Sequence, residues 1–242
     1  MMKQDKFPEK KSIALLLDPD KAKGDSLQNI LNVAGESNPD YIFVGGSLTF
    51  NSIDNLIDAI RKKCSLPVVL FPGNLLQLTH KADKILLLSL ISGRNPELLI
   101  GNHVVAAPFL HEVKEKVISV GYILINCGAK TSVEYFSQTE AIPSNKPDIV
   151  VATAMAGEML GLKMIYLEAG SGATNSVPTN IIKAVRENIS IPIAVGGGIK
   201  KKKEIEEIFN AGADLVILGN GCEKDPQLLN DACRARDSFR NL

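Results

Sequence analysis

The sequence contains no tryptophan, and aromatic residues make up only 5% of its 242 positions. A large core must therefore be built mainly from aliphatic side chains, and the hydrophobic share of 45% supplies enough of them. A core of this size needs neither disulfides nor a metal to be stable. Aliphatic segments of this kind favour parallel strands that are buried on both faces.

The chain also has no excess of positive or negative charge, because 27 Lys and Arg balance 27 Asp and Glu. No overall field attracts nucleic acid or an acidic membrane surface, so any anion site must be local, and we expect no nucleic-acid partner. The few cysteines form no CxxC or Cys/His pattern and are widely spaced: Cys64, Cys127, Cys222 and Cys233. They predict buried thiols in a reducing compartment rather than a disulfide or a zinc site.

Long hydrophobic runs are absent as well. The longest, residues 85–91, is interrupted only by Ser89 and is far too short to span a bilayer. The first residues, 1–11, are polar and contain no apolar segment typical of a secretory signal. We therefore expect a cytoplasmic protein.

Short β-rich runs alternate with helical patterns along the whole chain. The predicted strands are 13–17, 41–44, 67–71, 84–88, 122–126, 164–167, 191–195 and 215–218. The predicted helices are 26–34, 52–62, 146–161, 178–188 and 201–211. This alternation predicts one α/β domain over residues 1–242, a (β/α)₈ TIM-type barrel, with an open doubly wound sheet as the competing arrangement. Residues 73–82 are short and begin beside Pro72, so the third helix is expected to be absent or irregular.

Most strands end in residues that are unsuited to packing and that would share one rim of a barrel. They are Asp18-Pro19-Asp20-Lys21, Gly45-Gly46-Ser47, Phe71-Pro72-Gly73-Asn74, Glu168-Ala169-Gly170-Ser171-Gly172, Gly196-Gly197-Gly198-Ile199 and Gly219-Asn220-Gly221. The two glycine-rich ends after the last strands would leave free amides, and the first leads into a helix start. They predict a phosphate site there, although glycine-rich tight turns would give the same pattern.

Three side chains on this rim are candidates for chemistry. Asp18 and Ser47 offer hard oxygen ligands suited to Mg²⁺, while capping of the turn at Pro19 explains Asp18 equally well. Glu168 follows a buried strand and is a candidate general base. Its alternative role is a salt bridge or an amide cap in the barrel mouth.

The remaining polar residues carry weaker predictions. Ideal strand alternation is expected to direct Tyr166 to the opposite side of the strand, and a twist of the strand end would still let its hydroxyl reach the ligand. The lysine run 200–203 is typical of a solvated helix face. His103 is expected to enter the rim. No lysine ends the sixth strand, which argues against a Schiff-base aldolase.

Together these motifs resemble the geranylgeranylglyceryl phosphate synthase family, which includes bacterial heptaprenylglyceryl phosphate synthases. The most specific stretch is Tyr166-Leu167-Glu168-Ala169-Gly170-Ser171-Gly172, and the motifs occur in family order over almost the whole chain. The resemblance implies a prenyltransferase that joins a polyprenyl diphosphate, geranylgeranyl diphosphate first among them, to sn-glycerol 1-phosphate. An ether lipid and diphosphate are the implied products, so we also expect a transient membrane contact through the lipid product.

The resemblance also implies roles for individual residues. Asp18 and Ser47 would hold Mg²⁺, and Glu168 would take the proton of the attacking hydroxyl. Glycerol 1-phosphate would be bound by Tyr166, Leu167, Glu168, Ala169, Gly170, Ser171, Gly172, Gly197, Gly198, Gly219 and Asn220. The charge of Lys21 suggests to us that it assists the leaving diphosphate. Relatives form dimers or larger assemblies, so a homo-oligomer, a dimer in the first instance, is expected.

Two other interpretations compete with the synthase. A different phosphate-binding barrel enzyme, such as a phosphosugar isomerase or an aldolase, explains the glycine-rich loops but gives no task to residues 18–21. A non-catalytic barrel that binds a phosphorylated ligand predicts binding without turnover and without Mg²⁺. The fold alone does not separate these functions, because this barrel hosts many activities.

Overall fold

The computed structural model describes residues 7–128 and 130–240 and confirms the predicted barrel. Its strands are β1 (Ser12–Leu17), β2 (Tyr41–Val44), β3 (Val68–Leu70), β4 (Lys84–Leu90), β5 (Val117–Asn126), β6 (Ile142–Pro143), β7 (Met164–Glu168), β8 (Ile193–Gly196) and β9 (Leu215–Leu218). All of their pairings are parallel. Each predicted strand overlaps an observed one, and β5 begins earlier than expected, at Val117.

The sheet closes on itself. Going around the ring, the order is β1, β2, β3, β4, β5, β7, β8, β9 and again β1, while the short β6 pairs only with the end of β5. In the closing pair, Leu15 of β1 lies beside Leu218 of β9. Because every strand runs in the same direction, all of the carboxyl ends meet at one rim.

Helices cover the outside of this ring. They are α1 (Gly24–Ser37), α2 (Ile53–Arg61), α3 (Asn102–His111), α4 (Ser132–Ser137), α5 (Pro147–Met159), α6 (Thr179–Asn188), α7 (Lys202–Asn210), α8 (Asn220–Lys224) and α9 (Gln227–Arg240). The five predicted helices are observed as α1, α2, α5, α6 and α7. The sequence reasoning did not predict α3, α4, α8 or α9.

The connection between β3 and β4 lacks a crossover helix, as predicted. Only one 3₁₀ turn, Leu75–Gln77, forms in residues 71–83. Gln77 is buried and fixes this turn, because its amide accepts from the Gly73 N–H at 2.9 Å and donates to the Gly46 carbonyl at 2.8 Å. The outer ring of helices is therefore open at this position.

Strand alternation divides the core into two layers. Side chains of one parity fill the barrel interior, among them Phe43, Tyr122, Tyr166 and Ile217. Side chains of the other parity, such as Leu167, pack outward against the helices. Aliphatic residues dominate both layers, as the composition predicts.

The described residues contain no helix that is both long and apolar enough to cross a membrane.

The four cysteines are free thiols. Cys127, Cys222 and Cys233 are buried, and burial raises the pKa of Cys222 to about 12. Cys64 is only partly buried, so the prediction of buried thiols is confirmed for the other three.

The C-terminal helix α9 is tied to the amino-terminal end of the barrel by one carboxylate. Asp40 accepts from the Ile13 amide at 3.0 Å, from Arg236 at 2.8 Å and from Arg240 at 2.5 Å. Burial alone would raise the pKa of Asp40, but these donors outweigh it and hold the pKa below its ordinary value of 3.8. The Arg236 side chain is only 5% exposed, so Asp40, which is itself largely buried, is needed to compensate the burial of its charge.

Replacing Asp40 with Asn should therefore destabilise the fold. Breaking one side of a buried ion pair leaves the other charge uncompensated, and we expect the free energy of unfolding to fall by about 3 kcal/mol in urea titrations at pH 7. Because the folded-state pKa is depressed, this contribution is present above pH 3.8 and is lost as the pH falls through the folded-state pKa. Asp237→Asn removes an exposed partner of the same arginine and should cost less than about 1 kcal/mol. Equal losses for the two variants would refute the role of Asp40.

Candidate active site

A cavity of about 810 Å³ opens at the carboxyl ends of the strands. Most of the residues that the sequence singled out line it: Asp18, Lys21, Ser47, Tyr166, Glu168, Ser171, Gly172, Gly197, Gly198, Gly219 and Asn220. The loops after β1, β2, β7, β8 and β9 thus contribute to one site. This convergence is what a closed parallel barrel imposes on its strand ends.

Glu168, the last residue of β7, is the buried carboxylate of this cavity. It is 6% exposed, accepts from the Gly170 amide at 2.6 Å, and accepts a second hydrogen bond from the Tyr166 hydroxyl. Burial raises the pKa of Glu168, although these two donors oppose the rise. Among the described residues, no Lys, Arg or His side chain forms an ion pair with Glu168. The alternative role of a salt bridge is therefore not what the structure shows. The amide contact with Gly170 does match the predicted capping role.

The predicted direction of Tyr166 was wrong. Residues 166 and 168 are two positions apart on β7, and alternation places both of them on the same side of the strand. Tyr166 therefore points into the barrel beside Glu168 without any twist of the strand end. Its ring packs edge-on against Tyr122, with centroids 5.1 Å apart.

Three other residues of the most specific motif do not line the cavity. The side chains of Leu167 and Ala169 are buried in the outer layer, facing the helices. Gly170 has φ of +97°, and its N–H is already donated to Glu168. These residues shape the strand end that presents Glu168, and their predicted contacts with a substrate remain predictions.

A series of hydrogen bonds joins the loops after β1, β9 and β7, next to the point where β1 and β9 close the barrel. The Lys21 Nζ donates to the Asn220 Oδ1 at 2.7 Å, and the Asn220 Nδ2 donates to the Ser171 Oγ at 2.9 Å. Lys21 also lies 3.5 Å from a Glu223 oxygen and 4.0 Å from the Asp18 Oδ2. The ammonium group of Lys21 is therefore held at the junction of the loops after β1 and β9, and through Asn220 it is linked to the loop after β7.

The glycines after β8 allow the backbone to pass very close to the other loops. Gly197 has φ of +81°, and a Cβ at this residue would collide with the Glu168 carboxylate. Gly198 has φ of +68°, and a Cβ there would collide with the Asn175 backbone. Only glycine fits either position, so this loop exposes bare backbone to the cavity.

The sequence predicted that the start of the helix after this loop would help to bind a phosphate, and the structure corrects this expectation. α7 begins at Lys202, and the amides of Lys200 and Lys201 before it donate to the Glu204 carboxylate at 2.7 and 2.9 Å. A carboxylate at this helix start opposes the binding of an anion. An anion in the cavity would instead depend on the backbone of Gly197 and Gly198 and on the adjoining Gly219–Asn220 loop.

Asp18 and Ser47 lie on adjacent loops at the other side of the cavity. The Asp18 Oδ1 accepts from the Asp20 amide at 2.9 Å, which is the predicted turn, while the Oδ2 lies against Gly46. The described residues contain no group of three or more His, Cys, Asp or Glu side chains that could bind a metal by themselves. One carboxylate oxygen and one hydroxyl fit Mg²⁺ only if a substrate and water supply the other ligands, which is the usual mode for this ion.

An apolar groove of about 190 Å³ leads away from the Ser47 side of the cavity. It runs between the turn after β3 and helix α3, where the outer ring is open, and its walls include Leu75, Leu88, Leu98 and Ala106. The cavity and the groove share Gly46, Ser47, Phe71, Tyr122, Val133 and Phe136. A ligand could therefore place a polar group in the cavity and an apolar chain in the groove.

His103 lies in the wall of this groove, near the carboxyl end of β4, which is consistent with its expected place at the rim. The His103 Nε2 is 2.8 Å from the Ser89 Oγ, and burial lowers the pKa of the imidazole. The ring is thus favoured in its neutral form, which suits an apolar surrounding.

Several residues of the cavity received no role from the sequence, among them Tyr122 and Lys200, and Phe71 was named only as part of a strand end. Phe71 and Tyr122 pack around Tyr166, and an apolar pattern alone does not distinguish such residues from the rest of the core. Lys200 was assigned to a solvated face, but it lines the cavity and its Nζ donates to the Thr174 carbonyl at 2.9 Å. Its position directly after the glycine-rich loop was the signal that could have separated it from the lysines that follow.

The chain is similar in sequence to curated proteins over most of its length. A geranylgeranylglyceryl phosphate synthase of Flavobacterium johnsoniae is 49% identical over 89% of this chain and 89% of its own. The corresponding protein of Spirosoma linguale is 47% identical over 93% of this chain and 90% of its own, and that of Pyrococcus horikoshii is 34% identical over 98% and 93%.

Solved structures give the same result. The (S)-3-O-geranylgeranylglyceryl phosphate synthase of Thermoplasma acidophilum, solved in complex with its substrate sn-glycerol-1-phosphate, matches with a TM-score of 0.87 at 30% identity. The match covers 95% of this chain and 94% of that one. The PcrB family model matches residues 6–236, and the chain therefore belongs to the PcrB family.

Proposed function

We propose that this protein is a prenyltransferase that joins a polyprenyl diphosphate to sn-glycerol 1-phosphate, forming a prenylglyceryl phosphate ether and diphosphate. The observation that carries this proposal is the buried Glu168 carboxylate in a polar cavity that continues into an apolar groove. The named relatives and the glycerol-1-phosphate complex of the Thermoplasma enzyme support it.

The acceptor binds on the glycine-rich side of the cavity. The bare backbone of Gly197 and Gly198, together with the Gly219–Asn220 loop, receives the phosphate. Lys21 and Lys200 line the same cavity and add positive charge. A phosphate fixed there directs the glycerol hydroxyls toward Glu168, so the bound acceptor is oriented before the reaction.

The donor diphosphate binds on the opposite side, near Asp18, Ser47 and Lys21. Asp18 and Ser47 are the residues that would hold Mg²⁺ there, with diphosphate oxygens and water completing its ligands. When bound, Mg²⁺ supplies Lewis-acid stabilisation of the departing diphosphate. The ammonium group of Lys21 lies close enough to Asp18 to face the same negative charge.

The reaction replaces one C–O bond with another. The bond between the allylic carbon and the diphosphate breaks, and the glycerol oxygen bonds to that carbon. Glu168 takes the proton from this oxygen, and its raised pKa makes it a stronger base than an exposed glutamate. Tyr166 holds the accepting carboxylate in place.

The groove receives the prenyl tail. Its shared boundary with the cavity lies at Ser47, Phe71 and Phe136, so the diphosphate and the tail of one molecule can occupy both spaces. An aldolase or isomerase that acts on a phosphosugar has no use for such an apolar extension. A non-catalytic binding protein has no use for a buried base.

A homodimer is also part of the proposal. Helices α3 and α5 expose apolar side chains on their outer faces, including Val104, Val105 and Ile149. Arg94 and Asp148 line one shallow depression beside them, so a two-fold contact of this surface with a second copy would bring opposite charges together. A cytoplasmic location remains a prediction from the sequence.

The direct test is product formation from purified protein, Mg²⁺, radiolabelled prenyl diphosphates of 20 and 35 carbons, and glycerol 1-phosphate. An ether lipid that forms only with Mg²⁺, and not with glycerol 3-phosphate, establishes the reaction and identifies the preferred tail. Absence of product at every tail length would overturn the proposal.

Glu168→Gln keeps the shape of the side chain and removes the base. We expect kcat to fall by about 10²- to 10⁴-fold, while glycerol 1-phosphate still binds in calorimetry within about threefold of the wild-type affinity. Glu158→Gln alters a carboxylate that accepts from Ser190 ahead of the amino-terminal end of β8, and it should leave turnover within about twofold, the change expected for a residue remote from the chemistry. Full turnover in Glu168→Gln would exclude the general-base role.

Tyr166→Phe removes the hydroxyl that donates to Glu168. This hydrogen bond favours the charged carboxylate, so its loss should raise the pKa of Glu168 further. Because the base acts in its deprotonated form, the acidic limb of the profile of kcat/KM against pH should move to higher pH. Tyr41→Phe, at the amino-terminal end of the barrel, should leave the limb in place. A shift to lower pH in Tyr166→Phe would contradict the assignment.

Leu98→Phe tests the groove. Leu98 is half-buried in the groove wall, so a larger ring can be accommodated without disrupting the core and will narrow the groove. We expect kcat/KM to fall at least about tenfold more for the 35-carbon than for the 20-carbon donor, as steric exclusion predicts, with the KM for glycerol 1-phosphate unchanged. Equal effects on both donors would show that the tail binds elsewhere.

A further inference from the structure

Large apolar side chains are exposed around the open side of the barrel rim. We refer to Leu48, Phe50, Leu76, Tyr135 and Phe136 as the rim patch. Phe50 is 84% exposed and Leu76 is 97% exposed, so these two are almost completely in contact with solvent. Such exposure is unfavourable in water and marks an interaction surface when several members cluster.

The members of the rim patch come from neighbouring loops. Leu48 and Phe50 follow β2, Leu76 lies in the turn after β3, and Tyr135 and Phe136 lie in α4 after β5. Strands β2, β3, β4 and β5 are consecutive in the ring, so these loops occupy one half of the rim. The other half carries the polar loops after β7, β8, β9 and β1.

The loops that carry the patch are held in place by the body of the protein. The Asp20 carboxylate accepts from the Phe50 amide at 2.9 Å and from the Asn51 amide at 3.0 Å. Gln77 fixes the turn that presents Leu76 through Gly73 and Gly46. The Tyr135 and Phe136 rings pack edge-on at 5.7 Å. These side chains are thus presented outward by an ordered backbone.

The patch is continuous with the apolar groove. Phe136 lines both the groove and the cavity, and Leu48 lines the cavity beside Ser47. A prenyl tail that enters the groove would therefore pass beside Leu48 and Phe136. Both the amphiphilic donor and the lipid product of the proposed reaction would take this path.

We propose that the rim patch docks on the surface of a lipid bilayer, so that the prenyl chain moves between the bilayer and the groove without crossing water. This inference rests on the proposed prenyltransferase function, because that function gives the reason for a bilayer to meet this half of the rim. The members of the patch are uncharged and the chain has no net charge, so the docking depends on apolar insertion rather than on anionic lipids. A second copy of the chain on the patch would obstruct the groove that the tail must reach.

The test is co-sedimentation of the full-length protein with phosphatidylcholine vesicles, without substrate. The rim variant is Phe50→Asp combined with Leu76→Asp, two residues that line neither the cavity nor the groove. The matched control is Met159→Asp combined with Ser65→Asp, two exposed residues that precede the amino-terminal ends of β7 and β3 and do not line the depression of Arg94 and Asp148. Light scattering gives the mass of each protein in solution.

We expect wild-type protein and the control to bind the vesicles, with little change between low and high salt, and the rim variant to partition at least about tenfold less. Turnover of a detergent-dispersed 20-carbon donor should be the same in wild-type protein and the rim variant.

Wild-type protein that remains in the supernatant, or a rim variant that still sediments, overturns the proposal. A mass that halves in the rim variant alone would assign the patch to a second copy instead. Because vesicle binding is read without turnover, a protein that binds vesicles but forms no ether product would fail the proposed function and not the docking.

Discussion

The pairing of the first and last barrel strands is the constraint on which the site depends. β1 and β9 lie side by side although they are about 200 residues apart in the chain, and their register sets Leu15 beside Leu218. This places Lys21 within hydrogen-bonding distance of Asn220, and through it of Ser171. In an open sheet these loops would lie at opposite edges, and no cavity would join them. The clamp of α9 around Asp40 secures the same closure from the other end of the barrel.

The rim has two chemically different halves, and their arrangement follows from strand order. The loops after β7, β8, β9 and β1 present bare glycine backbone, amides and charged groups. The loops after β2, β3 and β5 present aliphatic and aromatic side chains. Glu168 belongs to the polar half but lies beside the aromatic cluster of Phe71, Tyr122 and Tyr166. A substrate that carries a phosphate at one end and a hydrocarbon at the other matches this division.

Sequence patterns predict the strands well because most of the buried apolar runs end at glycine or at a polar residue that cannot continue them. The same punctuation identifies Asp18, Glu168, Gly197 and Asn220, since strand ends are where a barrel builds its site. The groove and the α9 clamp are not predictable in this way, because they join residues far apart in the chain that look like ordinary core or surface positions. Strict alternation predicts the correct direction of Tyr166, because residues 166 and 168 lie on the same side of a strand. Lys200 was not distinguished from the solvent-exposed lysines that follow it.

The single turn between β3 and β4 would make a prenyl tail bound in the groove a structural component of the protein. Elsewhere in the ring, a helix covers the outer faces of the strands and excludes water from them. At this position Leu75, Leu87 and Leu88 border the groove, and a bound hydrocarbon would supply the missing contacts. Occupancy and folding are then thermodynamically linked, and this sector of the protein should gain rigidity in proportion to the length of chain that it holds.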